Sequence, residues 1–332
     1  MVHMSASRPK ALVTAAVRGP GLDLLGELCD LVLDSWLDQP KLRIYDADQL
    51  ASRVASEEAT VVIVESDRCA APLFEQPLLA VASCRGDPNN VDVAAATDAG
   101  VPVLRAPGRN ADAVAELAVG LMFAAGRRVL AADRDVRAGE IYKDGTIPYQ
   151  RFRAWELAGR TAGLIGLGAV GRALRWRLRG LGMEVLAYDP YALDATATLD
   201  EVLGRSDVIS IHVPVTEETV GMIGPAEIER MRDGVVFINT ARAKLHDTDA
   251  LVAALQSGKI GAAALDHFEG EWLDPAHPLA RLDSVVLTPH IGGATYDTET
   301  NHTRTIAEDL CRLLAGAQPL NIVNPEVLYR GM

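Results

Sequence analysis

The chain lacks several features that would assign it quickly. Its four cysteines, Cys29, Cys69, Cys84 and Cys311, form no CxxC pair and no cluster with metal-ligand spacing. That excludes a disulfide scaffold and a cysteine-built metal centre, and it fits a reduced compartment. An excess of positive charge is also missing, with 32 Lys and Arg against 45 Asp and Glu for a net charge of -13. Nucleic acid and anionic membranes are polyanions that reward the opposite balance, so neither is an expected partner. There is no run of 18 apolar residues and no charged-then-apolar leader. The expected setting is therefore the cytoplasm. A start at Met4 is expected, and the residues before it are set aside. Internal repeats and low-complexity tracts are likewise absent.

What is present is ample core-forming material. The 332 residues are 49% hydrophobic and 23% charged, enough for two domains of ordinary size. From Ala11 to Leu104, short apolar runs alternate with helix-like stretches. The runs are Ala11–Val13, Leu31–Leu33, Val61–Val64, Leu79–Ala82 and Val101–Leu104, with helices predicted over Asp46–Ala55 and Asp92–Ala99. Such alternation implies a parallel sheet covered on both faces. After Pro107-Gly108, the stretch Ala111–Arg128 is apolar all round, which predicts a helix buried between two domains. A polar arm, Asp133–Glu156, follows. The second alternating series predicts strands at Ala162–Ile165, Glu184–Tyr188, Val208–His212, Val235–Asn239, Ala262–Asp266 and Val285–Leu287. One long helix over Asp297–Ala315 and a polar tail close the chain.

The second series is organised around Gly166-Leu167-Gly168-Ala169-Val170-Gly171, a GxGxxG motif directly after an apolar run. The first glycine permits the tight strand-to-helix turn. The second lets the backbone approach a pyrophosphate, and the third lets helix and strand pack closely. Asp189 ends the next strand, 18 residues past Gly171, where a carboxylate accepts ribose hydroxyls and repels a 2′-phosphate. NAD is therefore expected rather than NADP.

In a doubly wound sheet, ligands sit beyond the carboxyl ends of the strands. The residues there are Asp189, His212 with Pro214, Thr240-Ala241-Arg242, an acidic group (Asp266, Glu269, Glu271, Asp274) and His290 with Gly292. Arginine suits a carboxylate or a carbonyl, histidine suits proton transfer, and one of the carboxylates would orient the imidazole. Beside a nicotinamide this is a kit for reversible hydride transfer at a hydroxyl-bearing carbon.

Ordered motifs now identify a resemblance. They are Asn90-Val91-Asp92, Pro107-Gly108-Arg109-Asn110, Val114-Ala115-Glu116, Gly159-Arg160-Thr161, the glycine motif, His212-Val213-Pro214-Val215-Thr216, Asn239-Thr240-Ala241-Arg242 and Thr288-Pro289-His290-Ile291-Gly292-Gly293. The chain resembles the D-isomer-specific 2-hydroxyacid dehydrogenases, the group of phosphoglycerate, glycerate and D-lactate dehydrogenases. The resemblance implies two Rossmann-like, doubly wound parallel-sheet domains, the first discontinuous and closed by the C-terminal helix. The expected boundaries are 1–108 with 298–332 for a flavodoxin-like substrate domain and 109–297 for the NAD-binding domain. It implies Arg242 as the substrate arginine, His290 as the acid–base histidine, Glu271 as its partner and Asp266 as the acid near the nicotinamide carboxamide. Expected cofactor contacts are Gly166, Leu167, Gly168, Ala169, Val170, Gly171, Asp189, His212, Pro214, Thr240, Ala241, Arg242, Asp266, His290 and Gly292. No metal is expected. A homodimer through the cofactor domains, with the Asp133–Glu156 arm as a contact, is also implied, as is closure of the domains with hinges at Ala111–Arg128 and Asp297–Ala315.

Departures from the family pattern are Ala243 after the arginine, His267 where a small apolar residue is common, and Trp272 in place of proline. The loop expected to hold the substrate carboxylate reads Cys84-Arg85-Gly86-Asp87-Pro88-Asn89 instead of a glycine-rich form. Arg85 would add a second anion contact, whereas Asp87 would repel anions or pair with Arg85, so the substrate stays open. The chain stops soon after the long helix, which argues against a separate ligand-binding control domain. The function expected is interconversion of a D-2-hydroxyacid and its 2-keto acid. The alternative is an NAD(H)-sensing, corepressor-like binding dimer of the same fold.

Overall fold

The computed structural model describes residues 8–329. The expected start at Met4 and the last three residues of the expected first domain lie outside that range. The chain divides into two compact units, Met1–Arg109 with Thr295–Met332, and Asn110–Ala294. Among the described residues, no helix is long and apolar enough to cross a membrane.

The first unit holds β1 (Lys10–Val13), β2 (Asp30–Leu33), β3 (Val61–Val64), β4 (Ala80–Ser83) and β5 (Val103–Arg105). They form one parallel sheet in the order β2-β1-β3-β4-β5, the flavodoxin-like winding. β3 and β4 are buried along their whole length, which is why Val61–Val64 and Ala80–Ala82 read as continuous apolar runs instead of alternating ones. β5 begins at Val103, two residues later than expected. Pro102 has no N–H to give the ladder, and its carbonyl instead accepts from Val81.

The long helix Tyr296–Leu314 belongs to this unit. Thr295 caps it by accepting from the Thr298 N–H (3.1 Å), and Asp297 and Glu299 lie in its first turn, where the helix dipole favours acids. Ile306, Ala307 and Leu310 join the core beside Leu25 and Leu104. The helix lies so close to Pro20–Leu28 that a Cβ on Gly21 would meet the Arg304 backbone nitrogen at 2.5 Å. Past the helix, the Asp309 carboxylate accepts the N–H groups of Leu320 (2.7 Å) and Asn321 (3.0 Å) and turns the chain back. Asn324 then accepts from the Val103 N–H (2.8 Å) and donates to Thr97 and Val101. The tail read as merely polar therefore seals the edge of β5.

The second unit holds β6 (Thr161–Ile165), β7 (Glu184–Tyr188), β8 (Val208–Ile211), β9 (Val235–Asn239), β10 (Ile260–Leu265) and β11 (Val285–Leu287). Their order is β11-β10-β9-β8-β6-β7, all parallel. The winding reverses after β7, so the switch point lies between the ends of β6 and β8. Helix Ala111–Gly126 corrects the sequence reading in two ways. It buries one face only, with Val114, Ala115, Ala118, Leu121, Met122 and Ala125 inside and Glu116, Gly120 and Phe123 exposed. The buried residues from Ala115 to Ala125 also belong to this unit's own core. Small Ala and Gly residues raise the hydrophobic tally without requiring burial, so an apolar circumference overstated the buried face. The helix ends at Gly126, and a second runs over Val129–Arg137, with Arg128 left-handed between them (φ 51°).

His302, fully buried in the long helix, ties that helix to the β1 end. Arg109 can only donate, so Nδ1 accepts from it (2.7 Å) and the Nε2–H donates to the Ala16 carbonyl (2.6 Å). Burial pushes the pKa of His302 down to about 4, the Ala16 carbonyl opposing and Arg109 assisting. The folded ring is neutral while an unfolded one titrates near 6.5, so the unfolded chain takes up the proton first as pH falls. This contribution to stability is whole above about pH 6.5 and is lost between there and about pH 4. The denaturation midpoint should drop on acidification across that window, and less steeply in His302→Gln. An equal slope in the variant would show that other groups set the acid sensitivity.

Candidate active site

The glycine loop stands at the β6/β8 switch point. Gly166 is left-handed (φ +99°), and a Cβ there would lie 2.6 Å from the His212 carbonyl oxygen, so no other residue fits the turn. A Cβ on Gly171 would lie 2.2 Å from the Gly166 carbonyl oxygen, so helix Ala169–Gly180 can start only with glycine at its third position. At Gly168, by contrast, a Cβ would meet nothing within 4 Å. That open, exposed backbone lies at the positive end of the helix, where a pyrophosphate would sit against bare N–H groups. Ala169 is exposed and Val170 half-buried beside it. The Asp189 carboxylate is fixed by the N–H groups of Leu167 (2.7 Å) and Tyr191 (2.9 Å). It retains lone pairs for a ribose diol. The residues present therefore fit a dinucleotide. His212 and Pro214 follow β8. The His212 ring nitrogen Nε2 is 2.9 Å from Ser210 Oγ, and desolvation pushes its pKa down to about 4, leaving it neutral.

At the end of β9, buried Asn239 builds the turn that carries Arg242. Its Nδ2 group donates to the Arg242 carbonyl (2.8 Å) and to His246 Nδ1 (2.9 Å), while its Oδ1 accepts from the Ala241 N–H (2.9 Å). Burial pushes the His246 pKa down to about 4, so its Nδ1 stays an acceptor. The Thr240 hydroxyl is buried and has no hydrogen-bond partner among the described residues. A buried donor without a partner fits a site that a ligand completes. Arg242 itself is exposed, its Nη1 donating to the Ala241 carbonyl (2.7 Å), and among the described residues no carboxylate forms an ion pair with it.

At the ends of β10 and β11, Asp266 is 1% exposed and takes three hydrogen bonds: from Thr288 Oγ1 (2.6 Å), Ile291 N–H (2.9 Å) and Gly292 N–H (2.7 Å). Its partners in this structure lie beneath the loop that carries His290. Of the four carboxylates read there, Glu271 lies 2.8 Å from His290 Nδ1 through Oε1. Glu269 pairs with Lys244 and Asp274 caps its own turn. Glu271 (φ 55°) and His290 (φ 56°) are two of five non-glycine residues in the left-handed region among the described residues. Such strain persists only where the surroundings impose it.

Arg85, Gly86 and Asp87 lie in the first unit. The Arg85 guanidinium donates to the Glu65 carbonyl (2.5 Å), Asn89 Oδ1 (2.8 Å) and Ser66 Oγ (3.3 Å), so it is held by its own loop and by the turn after β3. Trp272 is 66% exposed. The sequence reading missed the roles of Asn239 and His246, and noted His267 only as a departure. The polar Asn at the close of an apolar strand was the available signal for the first. Asn239→Ala should lower stability by about 1–3 kcal/mol, since it strands three hydrogen-bond partners, His246 buried and the other two part-buried. A denaturant titration that matches the parent would show that the turn is held by other contacts.

Residues 119–292 match the family described as D-isomer specific 2-hydroxyacid dehydrogenase, NAD binding domain. The glyoxylate reductase of Thermofilum pendens is 38% identical over 332 residues, covering 97% of this chain and 96% of that one. The D-3-phosphoglycerate dehydrogenase of Archaeoglobus fulgidus is 43% identical over 244 residues, 71% of this chain and 45% of that longer one. Among solved structures, the D-lactate dehydrogenase of Escherichia coli superposes with a TM-score of 0.76 at 27% identity, covering 95% of this chain and 99% of that one.

Proposed function

The chain belongs to the D-isomer specific 2-hydroxyacid dehydrogenase family and is an NAD-dependent oxidoreductase acting on CH–OH groups; from that premise we propose that it interconverts a D-2-hydroxyacid and its 2-keto acid with His290 as the general acid–base. The observation that carries this reading is the 2.8 Å contact between His290 Nδ1 and Glu271 Oε1. A carboxylate can only accept, so Nδ1 bears a proton and Nε2 is left to work on the substrate. In oxidation the Nε2 lone pair takes the hydroxyl proton. In reduction the protonated ring returns it to the carbonyl oxygen, and Glu271 stabilises the cation in both directions. When bound, NAD supplies the two-electron acceptor or donor. Arg242, without a carboxylate of its own among the described residues, holds the substrate carboxylate and stabilises charge on the reacting oxygen.

On this reading the Asn110–Ala294 unit binds NAD and the other unit carries substrate contacts from Arg85, Gly86 and Asp87. A homodimer through the NAD-binding unit accounts for Val129, Leu130, Val136, Ile141, Tyr142, Ile147 and Tyr149, all exposed apolar residues on or near the 133–156 arm.

The test is NADH oxidation followed by absorbance on glyoxylate, pyruvate, hydroxypyruvate, 2-oxoglutarate and phosphohydroxypyruvate. His290→Ala should lower kcat at least about 100-fold with NADH affinity retained, and Arg242→Ala should lower kcat/KM by a similar factor, on the order of 100-fold. Unchanged turnover in both variants would sink the assignment. NADH binding with silence on every substrate would favour the binding-dimer alternative. Asp189→Ala should raise the KM for NADH and narrow its advantage over NADPH, and a parent enzyme that uses both equally would remove the discriminating role given to Asp189.

A further inference from the structure

We propose that His267 is a positioning residue that shares Glu271 with His290, and thereby sets the pH at which the pair changes from proton donor to proton acceptor. The proposal rests on the acid–base reading of His290 given above.

The argument begins with the proton on His267. Its Nδ1 lies 3.2 Å from the Ala243 N–H, a donor, and must accept. The neutral ring then carries its only proton on Nε2, which lies 3.3 Å from Glu271 Oε1. That same oxygen is 2.8 Å from His290 Nδ1. One carboxylate oxygen therefore lies against two imidazole nitrogens, hydrogen-bonded to His290 and in close polar contact with His267, and the two rings meet edge to face with centroids 4.9 Å apart. Through Ala243, the chain of bonds runs on to the turn that carries Arg242. Three consecutive strand ends, those of β9, β10 and β11, are linked by one side chain.

The groups facing His267 bear out the neutral form. Glu271 favours its cation, as does Asp266 beneath, while His290 and Arg242 oppose it. Desolvation is the largest influence, and the net effect lowers the His267 pKa. The Lys244–Glu269 pair sits on the flanking turns. His267, Glu271 and His290 also offer three ligand atoms within 4.8 Å. A cation on His267 Nε2 would require the proton on Nδ1, facing the Ala243 N–H head-on, so the hydrogen-bonded arrangement is the one this backbone supports.

The chemical consequence follows from charge sharing. Part of the Glu271 charge is spent on His267, so less is available to stabilise protonated His290. The hydrogen bond to His290 holds the carboxylate in place when the longer contact with His267 is removed. Without the His267 N–H, His290 should therefore keep its proton to higher pH.

The experiment is the pH profile of kcat for 2-keto acid reduction at saturating NADH, in the parent, His267→Val, His267→Asn, His267→Gln and His290→Ala. Reduction needs protonated His290, so activity falls as pH rises. In His267→Val that fall should lie higher by on the order of half a pH unit. His267→Asn keeps an acceptor for Ala243 but is too short to reach Glu271, and should shift likewise. It also serves if the valine variant fails to fold. His267→Gln restores an N–H toward Glu271 and should stay near the parent. An NMR titration of the His290 ring in the same proteins gives the comparison independently of substrate. A Val or Asn profile that is unmoved or moves down, or a Gln profile that moves as far as Val, overturns the proposal. If His290→Ala keeps both turnover and the limb, the acid–base reading itself fails. If it loses turnover while His267→Val leaves the limb in place, only the role of His267 fails.

Discussion

A single buried carboxylate underlies the arrangement of the site. Asp266 is 1% exposed, and a charge so placed is costly unless its oxygens are satisfied. Three donors satisfy them, and two are successive backbone N–H groups of Ile291 and Gly292. Because those N–H groups follow His290 directly, the cost of burying Asp266 is offset only when the loop takes one path. That path is what tolerates His290 in the left-handed region. The position of the imidazole is thus determined by electrostatics one layer below it.

The same logic, a rigid sheet below and a hydrogen-bonded turn above, repeats along the second unit. β6, β9, β10 and β11 are parallel, so their carboxyl ends lie along one edge. At each of those ends a short polar device converts the strand into a turn with a defined exit. Glycines and Asp189 do so after β6. Asn239 does so after β9, and Asp266 after β10 and β11. The side chains proposed to act, Arg242, Glu271 and His290, are comparatively exposed and make few bonds of their own, so their placement is borrowed from buried neighbours.

Much of the fold was legible in the sequence because its strands are short apolar runs rich in branched residues and bounded by turns. Glu184–Tyr188, Val235–Asn239 and Val285–Leu287 stand in the structure with the ends read from sequence. Helix Ala111–Gly126 was harder, because a pattern of Ala, Gly and Val carries little information about which side faces inward. The glycine motif was legible residue by residue, since Gly166 and Gly171 each answer a local steric demand and Gly168 leaves the backbone bare at the helix start. Glu271 stood among four nearby carboxylates, and only the folded path of two loops decides which one reaches His290. The contact from Ala243 to His267 joins two strand ends 24 residues apart, which no local pattern encodes.

Histidine shows most plainly why residue type alone could not mark the chemistry. His302 has both ring nitrogens engaged, one by Arg109 and one by the Ala16 carbonyl. His267 has one nitrogen hydrogen-bonded by Ala243 and the other in close contact with Glu271. His212 and His246 each bond through one nitrogen, but burial holds them neutral and far below the working range of an acid–base group. His290 differs on both counts. Its side chain is 39% exposed, one nitrogen is held by a carboxylate, and no bond to the other appears among the described residues. An imidazole does proton chemistry when one nitrogen is oriented by a partner, the second is accessible, and a nearby anion can support the charged ring. Of these five, that combination falls on His290, and it is a property of the environment that β10 and β11 build around the residue.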